Sequence, residues 1–132
     1  MSGEMDLAAL LREMQPRLDA EPYGYGMIAA GAVPQGVAAF AVIVEAEGTT
    51  VVAPAAGLVR AGIAHQGHWA RISLTVHSDL AAVGLTAAIA AALARDGISA
   101  NVVAGYFHDH VFVQWDRRAA AMEALRALTL AV

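Results

Sequence analysis

The fold is decided by residues 70–115, which read ARISLTVHSDLAAVGLTAAIAAALARDGISANVVAGYFHDHVFVQW. Apolar and polar side chains alternate along residues 70–77, which is the period-2 pattern of a strand with one buried face. Residues 84–96 carry leucine and isoleucine at four-residue spacing and predict a helix. Two further strands are predicted at 99–107 and 111–115, joined by a tight turn. The order strand, helix, strand, strand is how a ferredoxin-like unit begins.

A helix at 117–128 closes this unit, and residues 129–132 could add a short final strand. The first half of the chain has its own run of elements, predicted as a helix at 6–18, strands at 23–30, 37–45 and 49–53, and a helix at 55–62. The strand at 37–45 is almost wholly apolar, which predicts burial on both faces. Residues 64–69 are polar, so a boundary is expected there. We therefore predict an α+β protein of two small ferredoxin-like units packed together, a permuted or incomplete one at 1–63 and a second at 69–132.

The composition excludes several classes of protein. Apolar residues make up 58% of the 132 and charged residues 15%, which excludes a disordered chain. The net charge is −4 and the eight basic residues are scattered arginines, so we expect no nucleic-acid partner. The absence of cysteine excludes a disulfide and a thiolate nucleophile. The longest uncharged apolar stretch, 80–94, falls short of the roughly 20 residues of a membrane span, and the chain does not start like a signal peptide. We expect a cytoplasmic protein with no membrane partner.

Three stretches of the second half resemble an ACT domain. They are HSDLAAVGL at 77–85, DGISANVV at 96–103 and YFHDHVFV at 106–113. Together they are similar to small stand-alone bacterial proteins that contain two tandem ACT-like units. The resemblance covers residues 71–128 well and residues 7–62 loosely. One departure is Val83, because ACT domains often carry a proline before the glycine at this junction.

The resemblance implies a βαββαβ fold and a non-catalytic regulatory or sensor role. It implies a small-molecule ligand, with an amino acid as the expected one, and no cofactor. Because open sheet edges tend to pair with another chain, we also expect a homodimer or larger homo-oligomer, formed through the helix at 84–96 or an edge strand. Two other functions stay open: an oligomerisation or protein-interaction module without a ligand, and a small metal-binding protein.

The junction before the helix at 84–96 suits an amino acid. A helix start offers unsatisfied N–H groups and a partial positive charge, so the amides of Gly84, Leu85 and Thr86 could hold a carboxylate. Asp79 could meet an ammonium group, and Asn101 offers both a donor and an acceptor. With their neighbours, the predicted ligand-binding residues are Asp79, Val83, Gly84, Leu85, Thr86, Asn101 and Val102.

Each of the central residues also has a purely structural interpretation. Gly84 could relieve crowding between helix and sheet. Asp79 could cap the helix through its side chain. Asn101 could satisfy the backbone of a buried turn. The sequence leaves both interpretations open for all three.

The His-Asp-His run at 108–110 is the best candidate for a metal site. His108 and His110 could project to one side as metal ligands, but a third ligand is needed, and nothing in the sequence places His65 or His68 nearby. The alternative is a hairpin turn in which Asp109 bonds its own backbone. No Gly-x-Ser-x-Gly elbow is present, so we predict no catalytic residues.

Overall fold

A computed structural model describes residues 3, 5–29 and 31–132. The elements follow in the order α1 (Leu7–Glu13), β1 (Pro16–Ile28), β2 (Ala41–Val44), β3 (Thr49–Pro54), α2 (Ala55–Arg60), β4 (His65–Leu74), α3 (Leu85–Arg95), β5 (Asn101–Ala104), β6 (Asp109–Gln114) and α4 (Arg118–Leu130), with a short 3₁₀ turn (Trp115–Arg117) before α4. The chain divides into two compact units. Unit 1 is formed by Met1–Asp19 with Arg71–Val132, and unit 2 is formed by Ala20–Ala70.

Both boundaries between the units fall inside strands. The first part of β1 belongs to unit 1 and its longer second part to unit 2, whereas β4 starts in unit 2 and ends in unit 1. Each unit therefore uses a piece of each long strand. The division expected from the sequence, 1–63 and 69–132, stays a prediction, and the contacts group residues 1–19 with the second half.

Unit 2 has its strands in the order β4-β1-β3-β2. In it β3 pairs antiparallel with both β1 and β2, with Tyr23 opposite Pro54 and Ala41 opposite Val52. In this unit β3 lies between β1 and β2, although it follows both of them in sequence. This is the split arrangement of a ferredoxin-like fold. The described residues between β1 and β2 form no helix, so α2 supplies the helical cover. Its core consists of Val51, Ala53, Leu58 and Ile63.

Unit 1 repeats the same order as β1-β4-β6-β5. It runs β4, α3, β5, β6 and α4, and the first part of β1 stands where the final strand of a ferredoxin-like unit belongs. The buried face of α3 is formed by Leu85, Ile89, Ala92 and Leu93, and that of α4 by Ala121, Met122 and Leu125. These residues recur every three or four positions, as helical packing against a sheet requires.

The sequence predictions for three elements were wrong. The apolar run at 37–45 yields only β2, which is not buried on both faces: it is the end strand of the sheet, and its Val44 is 83% exposed. Residues 129–132 form no strand, since α4 continues to Leu130 and β1 already occupies the place of that strand. The helix predicted at 6–18 ends at Glu13, because β1 already begins at Pro16. Residues 65–69, where a boundary was predicted, form the beginning of β4.

Candidate functional site

The loop between β4 and α3 folds around Asp79. Its Oδ1 accepts a hydrogen bond of 2.8 Å from the Ala81 N–H, and its backbone oxygen accepts one of 2.9 Å from the Ala82 N–H. This is an Asx-type turn well before the helix, so Asp79 does not cap α3. Within the described residues, the carboxylate has no other hydrogen-bond partner, which leaves Oδ2 for a ligand.

Gly84 is the residue from which α3 starts. Its φ is +101°, a region that side-chain-bearing residues rarely adopt, and a Cβ there would lie 3.0 Å from Leu7 Cδ2. The glycine is therefore required by backbone conformation. Of the described residues, none caps α3 through its side chain, and its first turn holds no acidic residue. The amides of Leu85 and Thr86 consequently face no competing anion from their own helix.

The other predicted residues lie on the surface around this junction or on β5. Val83 is 83% exposed just before the helix. Asn101 is exposed at the start of β5, opposite Phe112, and Val102 is half-buried opposite Val111. Whether these residues bind one ligand together stays a prediction.

A cavity of about 220 Å³ opens beside the loop. It is lined by Gly3, His77, Ser78, Asp79, Leu80 and Tyr106, and we call it the Asp79 cavity. Of the residues predicted from the sequence, Asp79 alone is among those lining it. Tyr106 and Leu80 were not predicted from the sequence as site residues, although both are large apolar residues that the structure leaves exposed.

The histidines of the β5–β6 hairpin have structural partners. The turn closes through a 2.8 Å hydrogen bond from the Gly105 N–H to the His108 oxygen, so Asp109 and His110 already belong to β6. His108 Nδ1 lies 3.3 Å from the oxygen of Val76. In the part of the chain that the structure describes, no three histidine or acidic side chains converge as metal ligands.

A row of polar side chains crosses unit 1 from β1 to β6. Arg71 lies 3.8 Å from Asp19, and a 2.8 Å hydrogen bond joins Ser73 Oγ to His110 Nδ1. Burial, with smaller contributions from the charge of Arg71 and from His108, lowers the pKa of His110 from 6.5 to about 4. His110 is therefore a neutral hydrogen-bonding group at neutral pH.

Two family models for the ACT domain match the chain, one over residues 2–70 and the other over residues 65–127. The chain belongs to the ACT domain family. The two matches overlap at residues 65–70, the part of β4 that lies in unit 2. The ferredoxin-like fold expected from the sequence is thereby confirmed, as is the presence of two ACT-like units in one chain.

Solved structures support the assignment. A Vibrio cholerae protein of unknown function, a possible transport protein, is 42% identical over 97% of this chain and 99% of its own, with a TM-score of 0.83. An Agrobacterium tumefaciens protein is 15% identical, covering 83% and 84% of the two chains at a TM-score of 0.70. The regulatory subunit of aspartate kinase from Thermus flavus is 15% identical. The match covers 88% of this chain and 98% of that subunit, with a TM-score of 0.63. These last two show the fold alone.

No curated protein sequence matches this ACT protein. Among its described helices, none is long and apolar enough to cross a membrane. Family membership supports a regulatory ACT-type protein as its general function.

Replacing Gly84 with alanine should destabilise the fold. We expect Gly84→Ala to lower the free energy of unfolding by about 1–3 kcal/mol, because a Cβ strains the backbone and presses on Leu7. Gly97→Ala is the matched control, since Gly97 also has positive φ but nothing within 4 Å of its Cβ position. The control should lose less, about 1–2 kcal/mol. Equal losses in urea unfolding would show that the Leu7 contact is immaterial.

The low pKa of His110 predicts a pH dependence of stability. Between about 4 and 6.5 the unfolded chain binds a proton at this position and the folded chain does not, so stability rises with pH across that window. His110→Gln should flatten this part of the profile, whereas His68→Gln, at an exposed position, should not. Urea unfolding at several pH values measures both. A wild-type profile parallel to that of His110→Gln would contradict the prediction.

Proposed function

We propose that this ACT protein is a non-catalytic sensor that binds a free amino acid at the β4–α3 junction of unit 1. The observation that carries the proposal is the uncapped start of α3, where Leu85 and Thr86 follow a glycine held at positive φ. A carboxylate is favoured there by the amide donors and by the helix dipole. Family membership supports the regulatory role.

The loop supplies the second half of amino-acid recognition in this proposal. Oδ1 of Asp79 is held by the Ala81 N–H, which orients the carboxylate and leaves Oδ2 for an ammonium group. Val83 provides exposed apolar surface beside it. Asn101 and Val102 of β5 are the remaining residues that we assign to the site.

The assignment of residues 1–63 and 69–132 as two sequence units remains part of the proposal, as does the cytoplasmic location. An interaction module without a ligand is the alternative, and it predicts that no amino acid stabilises the protein. The two functions are thus separated by one measurement.

Amino-acid binding should appear as a rise in melting temperature. We expect one or a few of the twenty amino acids to stabilise the protein, and the deaminated analogue of the best one to bind more weakly. Asp79→Asn keeps an oxygen for the Ala81 N–H but removes the charge, so it should erase that difference. Loss of a charge-assisted hydrogen bond costs about 1.5–3 kcal/mol, or roughly ten- to over a hundredfold in affinity.

The matched control is Asp96→Asn, at the exposed C-terminal end of α3. It changes the net charge equally and should leave binding as in the wild type. A protein that no amino acid stabilises would refute the proposed function. Equal binding of the amino acid and its deaminated analogue by the wild type would refute the role of Asp79.

We also propose that two copies pair through β2, the end strand of unit 2. Val42, Ile43 and Val44 are 48%, 47% and 83% exposed, so an apolar strand presents an open edge. Such an edge readily adds a strand from another chain. Homo-oligomers with two-fold symmetry can use the same edge of both subunits.

Light scattering at micromolar concentration should therefore give a mass well above 13.6 kDa. Val44→Lys should shift the protein toward the monomer, because a charged side chain blocks edge pairing. Val59→Lys is the control, since Val59 is 66% exposed on α2 rather than on a strand. A 13.6 kDa wild-type particle, or equal effects of both variants, would exclude this interface.

A further inference from the structure

The Asp79 cavity combines aromatic rings with negative charge. Tyr106 and Asp79 both line it, and His77 and Ser78 complete its polar wall. We infer that this cavity binds a small organic cation, an ammonium or quaternary ammonium group. The inference goes beyond the proposed function, because it requires neither a ligand carboxylate nor the start of α3.

The rings form a connected cluster at one side of the cavity. Tyr106 and Phe107 meet edge to face with centroids 4.8 Å apart, and Phe107 lies 5.8 Å from the His77 ring. Tyr106 is 67% exposed and Phe107 62%, although both rings are held by their neighbours. Exposed aromatic faces fixed in this way attract cations through the ring quadrupole.

Two carboxylates add to the attraction. Asp79 lines the cavity, and the next residue toward β4, Ser78, donates a 3.2 Å hydrogen bond from its Oγ to Asp109 Oδ2. Considering the described residues alone, neither acid forms an ion pair with an arginine. The charge of Asp79 is therefore available to a ligand in the cavity, and that of Asp109 lies behind Ser78.

The size and the ligand geometry of the cavity select the kind of cation. A volume of about 220 Å³ lies below the roughly 300–1,000 Å³ of pockets that enclose drug-sized ligands, so the ligand is small. A metal ion would need convergent ligands, and no three histidine or acidic groups converge within the described part of the chain. A diffuse charge that contacts ring faces needs no such convergence.

Gly3 also lines the cavity. A Cβ on Gly3 would lie 2.6 Å from the backbone oxygen of His77 and 2.7 Å from the Asp79 nitrogen. Only a residue without a side chain approaches that backbone so closely. The lining at Gly3 is thus main chain, which leaves room for a ligand where a side chain would otherwise stand.

Choline and its uncharged isostere, 3,3-dimethyl-1-butanol, are the probes. In a titration followed by two-dimensional ¹⁵N–¹H NMR, choline should shift the amide signals of Ser78, Leu80 and Tyr106. The alcohol, which has the same shape without the charge, should bind at least about tenfold more weakly. Tyr106→Leu should weaken choline binding roughly 2- to 30-fold, and Tyr106→Phe, which keeps the ring, should retain it.

The charge is tested by a pair of variants. Asp79→Asn should weaken choline binding several-fold, whereas Asp116→Asn, an equal charge change at an exposed turn position, should not. Melting temperatures verify that each variant is folded. Equal binding of choline and the alcohol, no shift at these amides, equal effects of the two asparagine variants, or displacement of choline by one equivalent of Zn²⁺ would each overturn the inference.

Both proposals use Asp79, but their outcomes can be told apart. Choline has no carboxylate and gains nothing from the amides of Leu85 and Thr86. A protein that binds choline but no amino acid would refute the proposed function and support this inference. A protein that binds an amino acid but not choline would do the reverse.

Discussion

Backbone hydrogen bonding along β1 and β4 is the constraint on which both units depend. Unit 1 takes its fourth strand from the first part of β1, whereas unit 2 begins with the rest of β1 and ends with the first part of β4. A strand edge left unpaired exposes N–H and C=O groups, so neither unit completes its set of four strands without both β1 and β4. The position of α3, and hence of the loop around Asp79, follows from the end of β4 in unit 1.

Local patterns in the sequence predicted the elements whose environment is local. Residues 84–96 were predicted as a helix and form α3, because leucine and isoleucine recur on one face and Gly97 ends it with a φ of +70°. The start of β1 at Pro16 was not predicted, since the apolar spacing from Leu7 to Met14 indicated a helix over residues 6–18. That segment becomes a strand only because β4, distant in sequence, pairs with it. Likewise, the apolar run that contains β2 could not reveal which of its sides is covered.

In the candidate site, too, the residues that local sequence marks were predicted, and those placed by distant contacts were not. Asp79 and Gly84 were identified from the sequence because a turn residue and a glycine mark the junction directly. Tyr106 was not, because it reaches the cavity only through the pairing of β5 with β6 and the placement of their turn beside the β4–α3 loop. The φ of Gly84 adds a reason for this residue that no spacing could supply. The sequence predicted which residue types could take part in the site, but it could not predict which of them the fold brings close together.

The close approach of Gly3 to the backbone of residues 77–79 has a practical consequence for work on this protein. An affinity tag fused ahead of Gly3 would leave the chain beside the Asp79 cavity and could itself occupy it. Leu130 and Val132, by contrast, are 85% and 51% exposed at the far end of α4. Purification handles and fluorophores therefore belong at the C-terminus, which is far in sequence from the residues that line the Asp79 cavity.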